Sequence, residues 1–188
     1  MEKTSATQTN LSAYNNEWYK PGGLVKRLLW YIVSRLFVNT YVPYPSAFKA
    51  AILRAFGARI GQGVAIKPKV HVKYPWFLRV ADHVWIGENV WIDNLILVTI
   101  ESNVCLSQGA MLLTGNHNYT KSAFDLIVRA ITLEKGCWIG AKATVCPGVQ
   151  VGQHAVLTVG SVATTDLEAF GIYQGNPAKY VKTRTINS

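Results

Sequence analysis

From Ile60 onward an aliphatic residue returns at every sixth position: Ile60, Ile66 and Val72, then Val80, Ile86 and Ile92, then Ile100, Leu106 and Leu112. After a gap come Leu133, Ile139, Val145, Val151 and Leu157, and the first three blocks are separated by slips of only two residues. A helix repeats every 3.6 residues and a strand every two, so neither produces this register. The fifth residue of each hexad is small or aliphatic, as at Val64, Val70, Val84, Val90, Ile96, Val104, Ala110, Cys137, Ala143, Val149 and Ala155. Two inward positions in six define a short strand and a corner, and three hexads close a triangular prism. The pattern predicts an all-β solenoid, a parallel β-helix in which no coil buries its apolar face without its neighbours. Glycine follows the leading aliphatic at Gly61, Gly87, Gly140 and Gly152, where the turn is expected to need the backbone freedom that a Cβ removes.

Ahead of the repeats the period becomes helical. Between Leu24 and Val38, the residues Val25, Leu28, Leu29, Ile32, Val33 and Leu36 form an apolar stripe opposite Arg27, Tyr31, Ser34 and Arg35. Lys26, Arg27 and Arg35 argue against a membrane span. Ser46 to Phe56 reads as a second short helix, with Ser46 as its N-cap and Gly57 in the left-handed turn that ends it. Two readings of this pair stay open: packing on the rest of the protein or a sister subunit, or interfacial attachment to an anionic membrane. The expected organisation is a flexible polar tail over 1–17, a helical segment over 18–58, a β-helix over 59–168 and a C-terminal extension over 169–188.

Charge adds a direction to this picture. The net charge is +9, and Trp18 to Ala81 contains no Asp or Glu while carrying eleven Lys and Arg, so this half attracts anions. No nucleic-acid motif is present, and nucleic acid is not an expected partner. Cys105, Cys137 and Cys146 are an odd number without a CxxC pair, which suggests neither a disulfide framework nor a metal site. A cytoplasmic setting fits, since no signal peptide opens the chain.

The hexad register breaks for one long stretch, TGNHNYTKSAFDLIVRA over 114–130, and a loop of this length is more often functional than idle. It opens with His117 between Asn116 and Asn118, polar neighbours able to order an imidazole or touch a sugar. A neutral histidine can take a hydroxyl proton as an acyl group is attacked. His71, His83 and His154 fall at strand or turn positions with no ligand spacing. Trp85, Trp91 and Trp138 end hexads and should face outward, over a subunit interface or a bound pantetheine arm.

The segments EWYKPGG, KYPWFLRVADHVWIGENVWIDNL, VTIESNVCLSQGAMLLTGNHNY, FDL, CWIGAKATVCPGV and GNPAK together resemble the hexapeptide acyltransferases, and specifically the colanic-acid-biosynthesis acetyltransferases of bacterial polysaccharide clusters. The resemblance implies a left-handed parallel β-helix and a homotrimer with acetyl-CoA held between adjacent subunits. It implies direct O-acetylation of a sugar or lipid-linked oligosaccharide, with the histidine matching His117 as base. Asn94 matches an active-site asparagine, with Asp93, Asn116 and Asn118 as substrate contacts and Trp138 near the acetyl group. Backbone N–H groups near Gly140 and Ala141 would stabilise the oxyanion, and the pantetheine arm would pass Ala141, Val159 and Gly160. Thr164, Lys179, Lys182 and Arg184 would meet the CoA phosphates, although Thr165 stands where relatives often carry lysine. An acetyltransferase acting on an amino sugar or antibiotic, and a non-enzymatic β-helix scaffold, are the competing readings. A basic chain of this kind also suits peripheral contact with the inner face of the membrane.

Overall fold

A computed structural model describes residues 8–187, and residues 1–7 of the polar N-terminal stretch lie outside it. The hexads form a three-faced prism of stacked parallel strands. The first face runs β1 (Arg59–Ile60), β4 (Leu78–Val80), β7 (Val98–Ile100), β12 (Ile131–Leu133) and β15 (Gln150–Val151). The second runs β2 (Ala65–Ile66), β5 (Trp85–Ile86), β8 (Cys105–Leu106), β13 (Trp138–Ile139), β16 (Val156–Leu157) and β18 (Gly171–Gly175). The third runs β3 (His71–Val72), β6 (Trp91–Asp93), β9 (Met111–Leu113), β14 (Thr144–Val145) and β17 (Val162–Ala163).

In-register pairing stacks the leading aliphatics into ladders, such as Ile66, Ile86, Leu106, Ile139 and Leu157 on the second face. All five are buried. The small inward residues fill the corners, with one exception among those expected: Ile96 is only half-buried, and Val98 takes the inward place. The slip shifts the corner by two residues, so the position two before the next leading aliphatic points inward instead. The glycines after the leading aliphatics also differ in cause from the expectation. They are required by close approach between coils, since a Cβ on Gly140 would lie 2.7 Å from the carbonyl carbon of Thr158 and the nitrogen of Val159. The left-handed corners fall elsewhere, at residues such as His83, Asn89, Asn103 and His154.

A solenoid of parallel strands ends in an unpaired edge, and here the edge at the first coil is covered by α1 (Leu24–Phe37) and α2 (Ser46–Ala55). Each face receives its own cap. Arg54 donates to Ile60 O and Gly61 O on the first face, both at 2.9 Å. On the second, Ser46 Oγ accepts from Ile66 N at 2.9 Å and Lys49 Nζ donates to Ile66 O and Lys67 O at 3.0 Å. Trp30 Nε1 donates to Val72 O at 2.9 Å on the third. Ser46 therefore does not cap its own helix, as the sequence suggested; its hydroxyl faces the solenoid edge. Gly57 does take the left-handed turn after α2, at φ +101°.

Lys49 is fully buried, and burial first, with the nearby Lys67 charge second, lowers its pKa from the usual 10.5. The unfolded chain thus holds this proton more tightly than the folded one, so stability rises with pH between the folded value and 10.5. We expect that alkaline gain in melting temperature to shrink in Lys49→Met, as read by thermal unfolding against pH.

At the other end, β18 pairs with β16 and then with β19 (Ala178–Thr183) as an antiparallel ribbon. The segment from 169 therefore extends the second face.

Candidate active site

Every break in the hexad register among the first three coils falls at one corner, between the third and first faces. Lys73 and Tyr74 occupy it in the first coil, Asp93 to Leu95 in the second, and Thr114 opens the long excursion in the third. Polar side chains lock these layers together. Asn94 Oδ1 accepts from Lys73 N and Tyr74 N at 3.1 Å, and its Nδ2 donates to Tyr74 O at 2.7 Å. Thr114 Oγ1 accepts from Leu95 N and donates to Asp93 O, both at 2.8 Å. The site is thus built on a corner that departs from the repeat without losing its backbone partners.

The stretch over 114–130 is a hairpin of β10 (Gly115–His117) and β11 (Leu126–Val128). His117 ends β10. Its Nδ1 lies 2.8 Å from Phe124 O, and because a carbonyl only accepts, Nδ1 carries the proton and the neutral ring keeps its lone pair on Nε2. The ring stacks on Phe124 with centroids 4.5 Å apart and planes 10° apart. Phe124 itself has φ +55°, a strained setting for a bulky residue. Asn116 Oδ1 accepts from His117 N at 2.8 Å, and Asn118 Oδ1 accepts from Thr120 N and Oγ1. Both asparagines thus order the hairpin around the imidazole.

His117 lines a cavity of about 850 Å³, within the size range of small-molecule sites. The opposite wall is the N-terminal segment, with Tyr14, Glu17, Tyr19 and Lys20, and Arg27, Lys73 and Tyr74 complete the charged and aromatic lining. The tail expected over 1–17 is docked where it is described: Asn10 N donates to Ser122 O at 2.8 Å, and the Tyr14 ring lies 5.8 Å from His117. Tyr19 OH donates to Leu95 O at 2.5 Å, anchoring the segment to the corner. Burial raises the Tyr19 phenol well above its usual pKa of 10.0, so it stays a neutral donor.

The sequence alone assigns no role to Tyr14, Tyr19 or Phe124. Their only signal was membership of EWYKPGG and FDL, or, for Tyr14, none.

The other candidates divide between places. Asn94 is fully buried with its amide committed to backbone groups, so it positions Lys73 and Tyr74 and presents no free atom to the cavity. Asp93 lines an adjoining cavity of about 430 Å³ under α1, with Lys73 Nζ 3.0 Å away. Trp138 is exposed on the second face, its Nε1 donating to Ser107 Oγ at 2.8 Å. Trp85 and Trp91 face outward as expected. Gly140, Ala141, Val159 and Gly160 stack at the corner between the second and third faces, where Gly160 N donates to Ala141 O at 2.9 Å. Gly140 N donates to Leu157 O at 2.7 Å and is not available to an oxyanion, whereas Ala141 N has no acceptor among the described residues. Gly160 has φ +65° and open space where a Cβ would sit.

Thr164, Lys179 and Lys182 are exposed. Arg184 is drawn inward, donating to Gly136 O at 3.2 Å and His154 O at 3.0 Å, so its guanidinium pins corner turns. Burial pushes the Cys137 thiol up to about 12, which leaves it an inert core residue. Among the described residues no three His, Cys, Asp or Glu side chains cluster as metal ligands. One chain therefore holds His117 on one corner of the prism and the open backbone of Ala141 and Gly160 on another.

The chain belongs to the hexapeptide-repeat acetyltransferases. It is 31% identical over 166 residues, 88% of this chain and 91% of the relative, to the Escherichia coli K12 protein named "Putative colanic acid biosynthesis acetyltransferase WcaF". No family model matches the sequence. Among solved structures it resembles a hexapeptide-repeat acetyltransferase from Vibrio cholerae complexed with acetyl-CoA, at TM-score 0.76 and 23% identity, covering 85% of this chain and 87% of that one. It also resembles a maltose O-acetyltransferase from Clostridium difficile, at TM-score 0.77 and 21% identity, covering 96% and 100%. The fold they share is the left-handed parallel β-helix.

Proposed function

We propose that the protein transfers the acetyl group of acetyl-CoA to a sugar hydroxyl in bacterial exopolysaccharide synthesis, with His117 as general base. The observation that carries this is the fixed tautomer: Phe124 O holds the Nδ1 proton at 2.8 Å, leaving Nε2 as the basic atom in a cavity of about 850 Å³. His117 Nε2 takes the acceptor's hydroxyl proton as that oxygen bonds to the thioester carbonyl carbon. The carbon–sulfur bond then breaks, and the proton passes to the departing CoA sulfur. Ala141 N–H, without an acceptor among the described residues, is the oxyanion donor. The open strip past Val159 and Gly160 suits a pantetheine arm, and exposed Thr164, Lys179 and Lys182 suit the CoA phosphates.

His117 and this strip lie on different corners, so the reacting groups meet when the base of one subunit faces the strip of another. A homotrimer closes that arrangement with three equal sites. The acceptor occupies the cavity against Tyr14 and Tyr19, with Asn116 and Asn118 ordering the hairpin above it. Lys20 and Arg27, with only Glu17 opposing them in the lining, favour a sugar bearing a negative group.

CoA release from acetyl-CoA should become acceptor-dependent with acidic exopolysaccharide repeat units and be weaker with their neutral counterparts. Transfer only to amine acceptors would replace the sugar-hydroxyl reading, and failure to bind CoA would leave a scaffold.

A further inference from the structure

We propose that the outer face of α1 seats on an anionic phospholipid surface. The helix meets the solenoid through Trp30 and Ser34, both buried, with Arg27 and Phe37 half-buried beside them. Those positions recur at helical spacing on one side. Leu24, Val25, Leu28, Leu29, Ile32 and Leu36 recur on the other, and each is between 52% and 71% exposed. Leu24 and Leu28 rim the cavity beneath α1, and Val25, Leu29, Ile32 and Leu36 point away from the protein. The apolar surface continues past the end of α1, where Phe37 packs on Tyr44 and Phe48 at 5.6 and 5.8 Å and Tyr41 is exposed. A contiguous apolar face of this extent on a soluble protein marks an interaction surface.

Charge selects the occupant. Lys26 and Arg35 flank the apolar stripe and Lys20 precedes it, all exposed, and no carboxylate occurs between Trp18 and Ala81. Two copies of this face brought together would set like charges against each other, whereas anionic headgroups complement the flanks while the leucines enter the acyl boundary. Among the described residues no helix is long and apolar enough to cross a membrane, so the contact is interfacial. The stretch that leads into α1 is also the wall of the His117 cavity, which would place that cavity close to the lipid surface. The proposal does not depend on the acyl-transfer reading.

Vesicle flotation tests it, using phosphatidylcholine alone and phosphatidylcholine mixed with phosphatidylglycerol, against the Leu29→Gln/Ile32→Gln double variant. Both positions are more than half exposed, so melting temperature should be unchanged. The parent should float with the mixed vesicles at low salt, less so as salt is raised and less with neutral vesicles. The variant should bind at least about tenfold more weakly, the loss expected when two apolar side chains no longer leave water. A parent that stays in the soluble fraction, or a variant that floats equally well, overturns the proposal. So does a variant whose assembly, measured by light scattering, differs from the parent's, since the face would then belong to a second copy of the chain.

Discussion

Replacing His117 by alanine is expected to lower acceptor-dependent acetyl transfer by about 10²–10⁴, with CoA binding and melting temperature close to those of the parent. The split follows from the layout. The imidazole stands on the hairpin at one corner, whereas the backbone proposed for CoA lies at another, so removing the ring leaves that strip intact. The ring is also only partly buried, and its main partner is Phe124 on the same hairpin. Phe124→Ala should lower the rate less: the carbonyl that holds Nδ1 belongs to the backbone and survives, while the stacking that fixes the ring plane is lost. Both variants are read by CoA release under saturating acetyl-CoA, with CoA affinity measured separately. Full transfer by His117→Ala would remove the base assignment, because no other histidine lines the cavity.

The β-helix was legible because its information is local and repeated: each hexad names its own inward residues, and stacking only aligns them. The two-residue slips between the first three blocks of hexads were legible as well. What the slips build was not readable, since the cavity depends on pairings between distant segments. Asn10 reaches Ser122, Tyr14 reaches His117, and Tyr19 reaches Leu95. No period announces such contacts, so the polar N-terminal stretch looked like a free tail.

Amphipathicity misleads in a related way at α1. Periodicity identifies which side of a helix is apolar, but not what that side meets. Trp30 offers an indole N–H to the edge carbonyl of Val72, and Ser34 allows close approach, so the more polar side docks. The basic residues divide likewise: Lys49, Arg54 and Arg184 cap backbone carbonyls of the solenoid, while Lys20 and Arg27 remain at the cavity. Net charge alone could not separate these uses.

Asn94 shows how a family motif can be legible while its physical role is not, and Asn94→Ala is expected to act chiefly on stability. The substitution leaves Tyr74 N without a partner in a half-buried corner, whereas Lys73 N keeps Ile92 O and Tyr74 O keeps its bond from Phe77 N. One unmet buried group costs about 1–3 kcal/mol, and a loss of about 2 kcal/mol lowers the melting temperature by roughly 4–8 °C. Lys73 and Tyr74 line the cavity, so a loosened corner should raise the acceptor KM more than it lowers kcat. Asn94→Asp keeps an acceptor for the two N–H groups and loses the donor to Tyr74 O, so it should recover part of the stability and of the KM. If Asn94 instead touched the reacting groups, alanine would leave the melting temperature unchanged and reduce kcat, and a carboxylate would not restore it.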